Sequence, residues 1–151
     1  MEVGRSAELT SSQLETFERD GAVILRGFSN AAVASDMLDG AVALARREPG
    51  ESGTDRDRPF VLAEGNLSNV DVTSPEQAVS KVFRVHRDEP FRSFATRTDL
   101  RAIVATLLDT DELSCFLSQF IFKNPGAWGQ PCHQDSFYFP FLPMRPVVGV
   151  W

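Results

Sequence analysis

Apolar and polar positions divide the chain into a helical first part and a strand-rich last part. Leu14 and Phe17 lie three apart behind the capping side chains of residues 10–13 (TSSQ), and Gly21 supplies a stop, so a short helix is predicted there. Residues 22–28 (AVILRGF) are branched and apolar, which predicts a strand, and Ser29 or Asn30 can then cap a second helix. That helix is expected to bury Val33, Met37, Leu38, Ala41, Val42 and Ala45 before Pro49-Gly50 ends it. Residues 51–59 are charged and aperiodic and read as an exposed loop. Ser74-Pro75-Glu76 joins a capping hydroxyl, a first-turn proline and an acid at the positive end of the dipole, predicting a helix that carries Val79, Val82 and Phe83 inward. Thr98-Asp99 opens another, whose stripe of Leu100, Ile103, Val104, Leu107 and Leu108 is a core-packing face.

Beyond Asp111 the period changes. Residues 113–123 (LSCFLSQFIFK) are aromatic and branched, Asn124-Pro125-Gly126 forms a turn, and residues 131–139 and 146–151 read as two further strands joined by 140–143. The expected organisation is a single domain over residues 1–151, an α+β arrangement that is mainly β with N-terminal helices. In it, residues 1–110 form a helical support and 111–151 the first strands of a sheet. The final run, PVVGVW, reads as the middle of an element, so about half of the domain is expected to lie beyond Trp151.

Composition narrows the function classes. An apolar content of 42% over 151 residues suits one globular domain with a real core. The net charge of −6, with basic residues scattered singly, argues against nucleic acid as a partner. No apolar run reaches the length of a signal peptide or a membrane span, so no membrane association is expected and a cytoplasmic protein is the default. Cys115 and Cys132 form no C-x-x-C pair and read as reduced core residues.

The candidate chemistry sits in residues 130–135 (QPCHQD). On a strand, His133 and Asp135 are two positions apart and emerge on one face, which makes a two-ligand arm. A 2-His-1-carboxylate triad holds iron(II) through such an arm and one distant histidine, leaving positions open for a cosubstrate and oxygen. By itself the pair is weak evidence: two histidines and eleven aspartates make a chance match common, and a hydrogen-bonded surface pair is the plain alternative.

The surrounding text adds more. Lys81-Val82, then residues 122–126 (FKNPG), then His133-Gln134-Asp135, then Tyr138 to Phe141 and finally Trp151 together resemble the phytanoyl-CoA dioxygenase family. Residues 9–24 also look like that family's opening helix and strand. The resemblance is dense between Phe122 and Trp151 and loose between Asn30 and Ser80.

That resemblance implies a double-stranded β-helix, or jelly roll, incomplete in this chain. It also implies an iron(II)- and 2-oxoglutarate-dependent dioxygenase that hydroxylates an unactivated C–H bond of a small organic or acyl substrate. His133 and Asp135 would be the catalytic metal ligands, and Lys81, Gln119 and Trp151 would bind the 2-oxoglutarate cosubstrate in the pocket that contains His133. A dianion wants a cation such as Lys81, and a flat indole such as Trp151 can wall the dry side of its pocket. Asp135 favours hydroxylation, since related halogenases lack a carboxylate at this position.

The plain alternatives are a solvated helix face for Lys81 and a core position for Trp151. His86, the other histidine, reads as exposed in a charged helical stretch and not as the third ligand. Family members carry a second metal histidine and a 2-oxoglutarate-binding arginine beyond the equivalent of Trp151, so a second chain or a C-terminal half is expected to complete the barrel. A truncated, non-catalytic binding or assembly module is the competing reading, and a cupin-like metal protein a third.

Overall fold

In the computed structural model, residues 8–47, 57–139 and 141–151 are described. Their elements are α1 (Ser11–Asp20), α2 (Ala31–Ala45), β1 (Phe60–Ala63), β2 (Val79–Phe83), α3 (Phe91–Ala95), α4 (Thr98–Leu108) and β3 (Gln119–Ile121), with short 3-10 turns between them. The three strands form one antiparallel sheet in the order β1-β2-β3. The chain divides into two compact units. One comprises residues 1–28, 96–114 and 131–151, and the other residues 29–95 and 115–130.

The sheet unit is built around β2. Val82, with none of its surface exposed, pairs with Val61 on one side and Phe120 on the other, so these three share a face. Ala41, Leu44 and Ala45 of α2 join Val79, Val82, Val85, Phe91 and Phe122 in one apolar cluster. Asn30 caps α2 through Oδ1, which accepts from the Val33 N–H at 2.9 Å. Leu38, expected in the core, is 50% exposed, and Leu44 takes that role one turn and a half later. The expected stop at Pro49-Gly50 and most of the expected loop, residues 51–56, lie outside the described residues.

Ser74-Pro75-Glu76 does start a helical turn. The Gln77 side chain accepts from the Ser74 N–H at 2.9 Å, but the turn is a single 3-10 turn, Pro75–Ala78, and the chain then enters β2. Val79 and Val82 are spaced three apart, which mimics a helical stripe, yet branched Val79-Ser80-Lys81-Val82-Phe83 has ladder partners on both sides and takes the strand. β1 and β2 thus fall inside the stretch read as helical support.

A buried carboxylate ties two loops of this unit together. Glu64, 4% exposed, accepts from the Asn66 N–H at 2.9 Å and the Trp128 N–H at 3.3 Å. Asn66 Nδ2 donates to the Gly126 carbonyl at 2.8 Å. Asn124-Pro125-Gly126 makes the turn expected of it: the Ala127 N–H closes on the Asn124 carbonyl at 3.0 Å, with Gly126 at φ +84.

In the other unit, α1 follows its sequence signals closely. Thr10 Oγ1 accepts from the Gln13 N–H at 3.2 Å, Gln13 Oε1 accepts from the Thr10 N–H at 2.9 Å, and Gly21 ends the helix at φ +72. α4 buries Leu100 and Ile103. Arg97, just ahead of α4, pairs with Asp99 at 2.9 Å and lays its guanidinium over the Phe28 ring at 4.6 Å.

Three expected strands are absent among the described residues. Residues 22–28 run irregularly into a turn and leave Ile24 75% exposed, and residues 131–139 and 146–151 contain no ladder. Branched and aromatic runs become strands only where a neighbour accepts their hydrogen bonds, and none of the described residues does so here. β3 likewise covers three residues of the expected 113–123. Cys115 and Cys132 are exposed rather than core. No helix among the described residues is long and apolar enough to cross a membrane.

Candidate metal centre

His133 and Asp135 converge without a strand to hold them. Gln134 between them is extended, at φ −105 and ψ 128, and Asp135 opens a 3-10 turn, Asp135–Phe137. The Tyr138 N–H closes that turn on the Asp135 carbonyl at 2.9 Å. His133 Nε2 stands 3.4 Å from Asp135 Oδ1, with the two side chains 29% and 58% exposed. The expected convergence is therefore present, and its cause is a turn and not a shared strand face.

The ring orientation of His133 follows from its other nitrogen. Nδ1 lies 2.8 Å from the Pro131 carbonyl, which can only accept, so Nδ1 carries a proton and donates. In the neutral ring the Nε2 lone pair then faces the Asp135 carboxylate. Tyr138 packs edge-on against the imidazole at 5.3 Å and 90°, and Phe137 packs edge-on against Tyr138 at 5.4 Å. Tyr138 entered the sequence reading only as part of the family resemblance, with no role at the site, and the Pro131 carbonyl did not enter it. The available signal was the spacing from His133 to Tyr138, which becomes meaningful only once a turn follows Asp135.

Two lone-pair donors facing each other favour a cation between them. With ligand bonds of about 2.1 Å, adjacent ligands on a divalent metal stand roughly 3.0 Å apart at a right angle and roughly 3.4 Å apart at a tetrahedral one. The observed 3.4 Å fits that range, and an imidazole with a carboxylate is the donor set an iron(II) triad uses. The residues present therefore fit a divalent metal as a two-ligand arm. No group of three potential ligands occurs among the described residues.

Lys81 and Gln119 share one face of the sheet. Lys81 opposes Leu62 and Ile121, while Phe83 opposes Phe60 and Gln119, so all six occupy the sheet face opposite Val82. Phe60 and Phe83 stack at 5.0 Å, with the Lys81 ammonium 5.9 Å from the Phe83 ring centre. Lys81 thus stands on a central strand and not on the helix expected for it. Lys81 and Gln119 belong to the sheet unit, whereas His133, Asp135 and Trp151 belong to the other. Trp151 is 95% exposed, against the core position considered for it.

A match to a family model settles the lineage. The phytanoyl-CoA dioxygenase model covers residues 17–151. The chain belongs to the phytanoyl-CoA dioxygenase family. That membership suggests chemistry of the non-haem iron, 2-oxoglutarate-dependent dioxygenase type, since the family generally depends on iron(II) and 2-oxoglutarate. No solved structure matches the chain.

His86 departs from its expected exposure. It is half-buried, its N–H donates to Ser118 Oγ at 2.9 Å, and its Nδ1 lies 2.6 Å from the same oxygen. Having accepted from the backbone, the hydroxyl donates to Nδ1, which suits a neutral ring. Burial, then the positive charges of Arg87 and Arg84, push the imidazole below its ordinary pKa. Its backbone N–H and Nδ1 are thus both engaged within the sheet unit.

Proposed function

We propose that this chain carries the iron-binding arm of a 2-oxoglutarate-dependent dioxygenase that hydroxylates an unactivated C–H bond of a small organic or acyl substrate. The observation that supports it is the 3.4 Å approach of His133 Nε2 to Asp135 Oδ1 in a chain of this family. Iron bound there supplies oxygen activation coupled to the oxidative decarboxylation of 2-oxoglutarate to succinate.

The chain's own residues bind and orient. His133 offers Nε2 because Nδ1 is committed to the Pro131 carbonyl, and Asp135 brings a carboxylate to the adjoining position. Asp135 also occupies the position a halide would need, which favours hydroxylation over halogenation. Lys81 is read as the cation that meets a carboxylate of 2-oxoglutarate, Gln119 as an amide on the same sheet face, and Trp151, 95% exposed in this chain, as the indole that would wall the cosubstrate once the barrel is completed.

The fold in this reading is a double-stranded β-helix. Such a roll takes eight strands, and the described residues form three. The second imidazole of the triad and the arginine for the distal carboxylate come, in this reading, from further polypeptide or a second chain. A cytoplasmic setting suits a water-soluble cosubstrate. The alternative of a non-catalytic assembly module draws on the exposure of Phe137 (81%), Leu142 (95%) and Met144 (89%).

Succinate release under air, with iron(II), ascorbate and 2-oxoglutarate, tests the reading. The 151-residue chain alone is expected to match free iron, because two protein ligands leave the triad unfilled. Supplied with the remainder of a family barrel, it is expected to release succinate, and His133→Ala or Asp135→Ala to stop that release. Release that survives both substitutions would overturn the assignment.

A further inference from the structure

The metal arm lacks the support that normally fixes a ligand. Residues 131–134 have no ladder partner among the described residues, and the His133 and Asp135 side chains keep 29% and 58% of their surface exposed, so neither a sheet nor a closed core holds the imidazole. Without local contacts such a ring would rotate and exchange tautomers, and Nε2 would face Asp135 only part of the time. Two contacts oppose this. The Pro131 carbonyl, 2.8 Å from Nδ1, fixes the proton, and the Tyr138 ring meets the imidazole edge-on at 5.3 Å.

The same turn places both the brace and the ligand. The Tyr138 N–H is bonded to the carbonyl of Asp135 at 2.9 Å, so the geometry that presents the carboxylate also sets the phenol ring, and Phe137 supports that ring at 5.4 Å. We infer that Tyr138 is a positioning residue of the centre: its ring and the Pro131 carbonyl together hold His133 in the Nδ1–H tautomer, with Nε2 aimed at Asp135. This deepens the reading of His133 as a ligand and rests on it for its purpose, but the ring's placement can be measured without metal. Outer partners that orient a ligating histidine in this way govern affinity as well as geometry. The contact acts through the ring face and edge, so the hydroxyl is dispensable.

The test uses nitrogen-resolved NMR of the imidazoles in the metal-free chain, with both rings neutral. The chain has two histidines, and His133→Ala assigns them. His133 is expected mainly as Nδ1–H. His86, whose Nδ1 receives the Ser118 hydroxyl, is expected as Nε2–H and reports whether each variant is folded. Tyr138→Ala is expected to shift His133 toward the other tautomer by about two- to tenfold, the range of an edge-on aromatic contact, while Tyr138→Phe keeps the wild-type ratio.

Cobalt(II) titration supplies the second readout. Affinity is expected to fall by about the same factor in Tyr138→Ala and to be retained in Tyr138→Phe. An unchanged tautomer ratio in Tyr138→Ala with the His86 signal intact, or failure of Tyr138→Phe to restore it, overturns the inference. A tautomer shift in a chain that binds no cobalt at His133 supports the positioning of the ring and defeats the metal reading instead.

Discussion

Gly126 is where a single atom decides whether two loops of the sheet unit can meet. A Cβ there would lie 1.9 Å from the Asn69 carbonyl oxygen, and the backbone already stands at φ +84. Gly126→Ala is therefore expected to cost at least about 2 kcal/mol, read from the midpoint of urea unfolding. Val82, fully buried at the centre of the core, is expected to cost about 2–3 kcal/mol when cut to alanine, through lost burial and the cavity left behind. His86 makes a pH prediction with a definite sign. Its folded-state pKa lies below the ordinary 6.5, so above 6.5 the ring is neutral in both states and its contribution is complete. As pH falls below 6.5 the unfolded chain takes up the proton first, and stability is lost until the folded pKa is passed. Unfolding midpoints measured across that window are expected to slope downward with acid, and His86→Gln to remove the slope.

Elements whose signals are local were legible. α1 needed only Thr10, Gln13 and Gly21, all within one helix, and Thr10→Ala is expected to cost it about 1 kcal/mol by thermal unfolding. Asn30 as a cap and the Leu100–Ile103 stripe of α4 were legible for the same reason. Strands were legible only in part, as β3 within the expected 113–123, because a strand is decided by its neighbours. The run at 22–28 has strand composition and no partner, while 79–83 has a helix-like valine spacing and two partners. The Arg46–Glu76 pair, which joins the end of α2 to the turn before β2 at 2.7 and 2.6 Å, was equally invisible at a separation of thirty residues. Those bonds hold the Glu76 carboxyl at about 2, against an ordinary 4.5. Their contribution is complete above 4.5 and is lost as pH falls toward 2.

At the scale of the whole chain, the approach of His133 to Asp135 was more legible than the fold around it. His133 and Asp135 stand out as candidates from their spacing and family context, and they do converge, though through a turn and not a strand. Tyr138 escaped because its contact with His133 depends on that turn. Leu142, Met144 and Trp151 are each at least 89% exposed, and apolar side chains so placed drive association. Sedimentation velocity is expected to show mass rising with concentration, and Leu142→Asp to reduce the effect. The measurement that tests the central claim most directly is anaerobic iron(II) titration of the chain beside its His133→Ala and Asp135→Ala variants. Weak binding of one ion per chain, reduced at least about tenfold by either substitution, is the expected result. Iron bound equally well by all three chains would contradict the assignment of these residues as its ligands.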